Sequence, residues 1–251
     1  MHYTGGGGKH AKPMQRDGTM AVSRWDRVNL PPLGLLWKFG GWWRWAVLGL
    51  ALGGVGAGPW SPPLSCTLLG AALATVWAFR SPWRLEPPAD ALVAPADGMV
   101  DDVEEVESCP FLPGSVVRIG IFLSLADVHA IRAPISGRVE GVVVVPGGHA
   151  SAAARDSGDR NQRNEIWLLD ADGHRVCMRQ IAGVVARRAA FGPRAGDELR
   201  AGAVIGMIRF GSRVELFLPL SAYRVRVMPG MRVRAGEEIL GVRGGSRAPR
   251  A

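Results

Sequence analysis

From residue 85 onward the chain is written in short β-branched runs punctuated by glycine and proline: GMVDDVEEV, SVVRIGIFL, GRVEGVVVV, NEIWLLD, HRVCMRQI, AVIGMIRF, RVELFLPL, YRVRVM and EILGVR. Short strands at this spacing predict a mainly β fold, a compact sandwich or barrel-like domain. Two internal echoes run through it. APADGMV (94–100) is echoed by APISGRV (133–139), and RAGDEL (194–199) by RAGEEI (234–239). In each, a turn residue and a glycine lead into a strand, which predicts duplicated turn-strand units. Recurrent turn chemistry without duplication explains the same residues.

The first third reads differently. The 251 residues, 47% hydrophobic, allow one globular domain plus appendages. We divide them into a flexible basic leader (1–34), an N-terminal apolar helical hairpin (35–84) and a β domain (85–251). Residues 1–45 carry seven Lys or Arg against two Asp, whereas residues 81–251 carry 22 Arg against 20 acids. A nucleic-acid protein would place its basic patch on the folded domain, so this distribution argues for an anionic membrane face instead. Eight of the nine tryptophans also precede residue 84. No cleavable signal peptide is visible, because the apolar stretch starts only near residue 42. Two apolar segments, Trp42 to Gly58 and Leu64 to Phe79, are broken by Pro59, Pro62 and Pro63. They suit a hairpin dipping into the bilayer or two buried helices of a soluble core. Lys38 and Arg44 before the pair, with Arg80 and Arg84 after it, predict that both ends face the cytoplasm.

Few residues can carry chemistry. Cys66, Cys109 and Cys177 lie far apart, so neither a disulfide framework nor a thiolate zinc site is encoded. The lysines are Lys9, Lys12 and Lys38, all before the β domain, which excludes lysine-amine chemistry there. His2 and His10 fall in the leader, and His149 and His174 stand in loop-like surroundings. His129, in IFLSLADVHAIRAPISG, follows an apolar strand where a side chain can face a cleft; a structural histidine fits the same position. Asp97 in APADG is either a turn residue or a functional carboxylate. The run DDVEEVE (101–107) reads as a solvated strand face. No spacing suggests a metal site. In RFGSRVELFLP, Gly211 and Ser212 separate two strands. An ordinary hairpin turn accounts for them, but a Gly-Ser bond also allows the hydroxyl to attack the preceding carbonyl, because glycine permits close approach and unusual dihedrals. A hydrolase elbow is ruled out, since no GxSxG is present and no helix follows the serine.

FRSPWR, APADG, FLSLADVHAIRAPISG, NEIWL and RFGSRVELFLP, taken in order, resemble the short-form prokaryotic phosphatidylserine decarboxylases from about residue 35 to 243. The resemblance implies a self-cleaving proenzyme in which the chain breaks between Gly211 and Ser212. Ser212 then becomes a pyruvoyl group, leaving large and small subunits that stay associated and possibly dimerise further. That covalent group would replace PLP, which a lysine-free domain cannot hold; no metal is implied. It would form an imine with the amine of phosphatidylserine, CO2 would leave, and phosphatidylethanolamine would be released. Asp97 is implied in self-cleavage and His129 in proton handling during maturation or decarboxylation. Longer relatives carry HxxH where this chain has His129 followed by Arg132, whose planar fork suits the substrate phosphate or carboxylate. The implied location is the cytoplasmic face of the cell membrane, peripheral or hairpin-anchored. The alternative is a non-catalytic lipoyl- or biotinyl-like membrane adaptor domain, although a carrier of that kind needs a lysine at a hairpin tip.

Overall fold

A computed structural model describes residues 25, 27–31, 33–106, 112–152, 157–183, 189–208 and 211–244. Most of the leader, Cys109 and Phe210 lie outside the described residues. Three helices come first: α1 (Gly34–Phe39), α2 (Trp43–Ala57) and α3 (Pro62–Ala78). The strands follow as β1 (Ala91–Val93), β2 (Gly98–Val106), β3 (Val116–Leu123), β4 (Ala130–Arg132) and β5 (Gly137–Val145). A single turn, α4 (Ser157–Arg160), precedes β6 (Arg163–Leu169), β7 (Arg175–Ile181), β8 (Ala189–Phe191), β9 (Glu198–Leu199) and β10 (Val204–Ile208). The last are β11 (Ser212–Pro219), β12 (Tyr223–Val225), β13 (Arg232–Val233) and β14 (Ile239–Arg243).

The fold is mainly β. Eight strands form one antiparallel sheet in the order β13-β2-β3-β11-β7-β6-β5-β9, curled into a half-barrel, and β1-β14-β12 and β4-β10-β8 form two smaller sheets. Each long β-branched run read from the sequence is a strand. Val214, Leu216 and Leu218 of β11 join Ile119, Ile121 and Leu123 of β3 in the main core. The alternate residues Arg213, Glu215 and Phe217 therefore face the other side of the sheet.

The echoes are a structural duplication. β1 and β2 are joined as β4 and β5 are, and both long strands begin at the echoed glycine, Gly98 or Gly137. Val93 N–H donates to the Pro134 carbonyl at 2.8 Å and Arg132 N–H to the Pro95 carbonyl at 2.8 Å, a reciprocal exchange about a local two-fold. β13 pairs with β2 at Gly98 and Met99 as β9 pairs with β5 at Gly137 and Arg138. One correction follows. The turn equivalent to the one at Arg234–Glu237 is Arg200–Ala203, which joins β9 to β10, not the RAGDEL turn. Its glycine and that of its counterpart, Gly202 (φ 78°) and Gly236 (φ 76°), pack together in left-handed conformations a side chain would strain.

α2 and α3 pack where Gly54 leaves room for Leu69, and Ser65 Oγ donates to the Gly54 carbonyl at 2.7 Å. Pro62 and Pro63 open α3, where a missing N–H costs nothing. In α2 only Gly54 is buried, and in α3 only Ala72 and Ala78. Trp45, Leu52, Val55, Trp60, Leu73 and Trp77 are exposed. Among the described residues no helix is long and apolar enough to cross a membrane. The hairpin base is tied to the β domain by Leu35, Leu36, Ala78 and Phe79, packed against Val128, Ala130, Val204 and Met207.

Candidate active site

Four strand ends converge at one end of the large sheet. Ser212 opens β11 opposite Leu123, the last residue of β3. Met99 of β2 pairs with Phe122, which places Asp97 and Gly98 beside the same strand end. On the other flank Arg213 pairs with Ile181 of β7, so Ala182 and Gly183 come next to Gly211. The fit there is tight: a Cβ on Gly183 would lie 1.7 Å from the Gly211 carbonyl oxygen. Gly211 itself has φ 65°, with open space where a side chain would be. His129 stands just before β4 of the β4-β10-β8 sheet, its carbonyl accepting from Ile208 N–H at 3.0 Å, at the point where β10 runs toward Gly211.

Ser212 is fully buried, and among the described residues its hydroxyl has no hydrogen-bond partner. A hydroxyl left bare in this way carries a desolvation cost that a structural serine avoids. It lies on the concave face, where Gln180 is also fully buried. Asn164 Nδ2 donates to Gln180 Oε1 at 2.9 Å, while Gln180 Nε2 has no partner among the described residues.

Asp97 Oδ1 accepts from Ala235 N–H at 2.8 Å, and Arg84 Nη2 donates to Asp97 Oδ2 at 2.9 Å and Oδ1 at 3.1 Å. Arg84 also binds Glu237 at 2.9 Å. Burial is the largest influence on the Asp97 carboxyl and raises its pKa above the usual value, against the lowering effects of Ala235 and Arg84. His129 is 1% exposed, and burial, reinforced by Arg80, holds its pKa down at about 4 while Asp127 pulls the other way. A neutral imidazole at neutral pH is a proton acceptor. Asp127 shapes the loop before it, accepting from Ser124 N–H at 2.8 Å and Ser124 Oγ at 2.7 Å, and Arg80 donates to the Ala126 carbonyl at 2.6 Å.

Two expectations need correction. Arg132 does not offer its fork to a ligand: it is 1% exposed, with Nη1 donating to the carbonyls of Val28 and Gly202 and Nη2 to that of Pro82. It fastens the segment before α1 to the duplicated turns. The acidic run is likewise not a simple solvated face, because Asp102 is buried and Asp101 and Asp102 both pair with Arg213. Asp127, Gln180 and Gly183 were not singled out from the sequence, and Arg84 was read only as a charge flanking the apolar segments. Only the FRSPWR and QIAG contexts could have drawn attention to any of them. The structure also gathers Asp170, Asp172 and His174 into a group whose ligand atoms lie within 4.8 Å. Asp170 is taken up there by the N–H groups of Asp172 and His174 and by Tyr223 Oη, as a turn-stabilising carboxylate. A cleft of about 310 Å³ lined by Leu169, His174 and Pro219 lies at the opposite end of β11 from Ser212.

The sequence model of the family "Phosphatidylserine decarboxylase" matches residues 71–241. A protein named phosphatidylserine decarboxylase proenzyme from Symbiobacterium thermophilum is 42% identical over 179 residues, 71% of this chain and 83% of the relative. Proteins of the same name from Desulfotalea psychrophila (37% over 179 residues, 71% and 83%) and Salinibacter ruber (39% over 186 residues, 72% and 81%) are also similar. The family model runs from the second half of α3 into β14 and takes in the Gly211–Ser212 junction, and on that basis the chain belongs to the phosphatidylserine decarboxylase family.

Proposed function

We propose that this chain is a self-processing enzyme that decarboxylates phosphatidylserine to phosphatidylethanolamine, carrying a pyruvoyl group made from Ser212. The observation that carries the reading is the bare, fully buried Ser212 hydroxyl beside a left-handed glycine in a family whose relatives are named proenzymes.

In self-cleavage, Ser212 Oγ attacks the Gly211 carbonyl carbon, and the peptide C–N bond breaks as the C–O bond forms, giving an ester. Loss of the Cα proton and of the Cβ–O bond leaves Gly211 as a carboxylate. The dehydrated residue 212 takes up water and releases ammonia, becoming the terminal ketone. His129, kept neutral by burial, has a ring nitrogen able to accept the hydroxyl proton, although the same burial weakens it as a base. Gly183 keeps the Gly211 carbonyl oxygen seated, and Asp97, fixed by Ala235 and Arg84, sets the local charge. The fragments would be 211 and 40 residues long (251 − 211 = 40) and β11, central in the sheet, would keep them associated.

The buried, orphaned serine position fits such a group, and no lysine stands in the β domain to hold a carbonyl coenzyme. When present, a pyruvoyl ketone supplies the electron sink that loss of CO2 from an amino acid requires. Around it, Gln180 Nε2, without a partner among the described residues, is a donor for the headgroup. With Arg132 engaged elsewhere, Arg80 and Arg232, which bind Ala126 and Asp127, are the cations placed at the loop to meet an anionic lipid. His129 is again the proton carrier.

The hairpin fits the same reading. A 15-residue α2 is roughly 22 Å long, shorter than the roughly 30 Å hydrocarbon core of a bilayer. Its exposed tryptophans and leucines suit insertion into one leaflet from the cytoplasmic side, and its base packs against Val128, next to His129. Mass spectrometry of the purified protein tests the proposal. A fragment of 40 residues with a ketone in place of its amino terminus is the expected result, and an intact chain with decarboxylase activity would overturn it.

A further inference from the structure

The convex face of the sheet holds a cluster that the chemistry above does not use. Arg213, the residue after the cleavage serine, is fully buried and bound at three points: Nη1 to Asp101, Nη2 to Asp102 at 2.9 Å and Nε to Glu215 at 3.1 Å. Two consecutive carboxylates reach one guanidinium because β2 carries a bulge between Val100 and Asp102, which makes Asp101 an extra residue in the ladder. Two glycines clear the space. A Cβ on Gly120 would lie 2.2 Å from Arg213 Nη2, and one on Gly158 would lie 2.7 Å from both Glu215 oxygens. Arg118 shares the same Asp102 oxygen, Oδ2, at 2.9 Å, and Arg179 holds Glu215 at 3.5 Å.

A buried ion cluster gains little net stability over apolar residues of the same volume, so stability alone does not account for it. A planar fork bound at three points does fix the position of one residue. Ser212 has a strand neighbour on one side only, Leu123, whereas Arg213 is the first residue of β11 paired on both sides, with Phe122 and Ile181. Before cleavage, residue 212 is held from both directions along the chain. Afterwards it is a chain terminus, and termini fray unless tied down.

We propose that Arg213, with Asp101, Asp102 and Glu215, is a positioning clamp for the new terminus created by self-cleavage, holding residue 212 in place for reaction with substrate. This rests on the proposed function and deepens it. Arg213 touches neither substrate nor the reacting atoms, so its loss should separate maturation from turnover.

The test uses the full chain with Arg213→Lys, which keeps the charge and loses the fork. Cleavage should stay within about twofold of wild type, while kcat on phosphatidylserine-containing vesicles falls about tenfold or more with KM unchanged. In a Ser212→Ala background, where no terminus forms, the melting temperature reads the purely structural cost of Arg213→Lys, and kcat is then compared at a temperature where both chains stay folded. Cleavage, melting temperature and kcat falling together would reduce the cluster to a structural role, and unchanged kcat in the cleaved variant would remove the proposal outright. Should Arg213→Lys not fold, Asp101→Asn removes the most exposed arm alone. Full cleavage with kcat lowered about threefold is expected there, and wild-type kcat overturns the clamp. Failure of the underlying reading is distinguishable, since it would show as a wild-type chain that never cleaves.

Discussion

The unit of β1, β2, β13 and β14 and the unit of β4, β5, β9 and β10 share a backbone plan down to single hydrogen bonds. Asp97 Oδ1 accepts from Ala235 N–H at 2.8 Å, and Ser136 Oγ accepts from Ala201 N–H at 3.0 Å at the equivalent place. Both long strands carry a bulge, between Val100 and Asp102 in one and between Val139 and Gly141 in the other. The side chains then part. Where the first unit has a carboxylate that draws in Arg84, the second has a hydroxyl that cannot. The first bulge feeds Asp101 and Asp102 into a buried cluster, whereas the second places Glu140 at the surface against Arg175. β10 leads toward Gly211 and Ser212, while its counterpart β14 reaches Arg243 near the end of the described chain. The turn oxygen is common to both units; only the first adds a charge to it.

Substitutions can break this comparison. The largest effect is expected for Ser212→Ala, which should yield one uncleaved, inactive chain on a denaturing gel because the attacking hydroxyl is gone. Gly183→Ala comes next. Its methyl must displace the Gly211 carbonyl, and a misplacement of that order should slow cleavage about 100-fold, read by quantifying precursor over time. Asp97→Asn and Ser136→Ala sharpen the contrast between the units. The first keeps an oxygen for Ala235 but loses the charge, so maturation should slow about tenfold. The second should mature normally and lose about 1 kcal/mol of stability in denaturant unfolding; equal effects on maturation would dissolve the distinction.

The smallest effect concerns pH. The His129 pKa is about 4 in the folded chain against an ordinary 6.5, so below 6.5 the unfolded chain binds a proton that the folded chain does not. The stability it contributes is whole above pH 6.5 and is lost as pH falls toward about 4. His129→Gln should flatten that slope in thermal melts. Its maturation rate should also fall, and normal rates would return His129 to a structural role.

Much of the molecule is legible in the chain itself. β2, β3, β5, β6, β7, β10 and β11 coincide with β-branched runs, because alternation and turn residues act over a few neighbours. The Gly211–Ser212 pair and the absence of lysine from the β domain are likewise local facts, and they already restrict the chemistry. The short strands β4, β8, β9 and β13 were not legible, since two or three residues carry no period and owe their form to the partners they meet.

Tertiary structure alone decided the rest. Arg132 reads as a ligand for an anion until the carbonyls of Val28, Pro82 and Gly202 are seen around it. DDVEEVE reads as a wet surface until the bulge turns Asp101 and Asp102 toward Arg213, more than a hundred residues away. Residue type and near neighbours set what each side chain is able to do. Register, burial and long-range pairing set which of those abilities is used, because they determine the dielectric and the partners each charge finds.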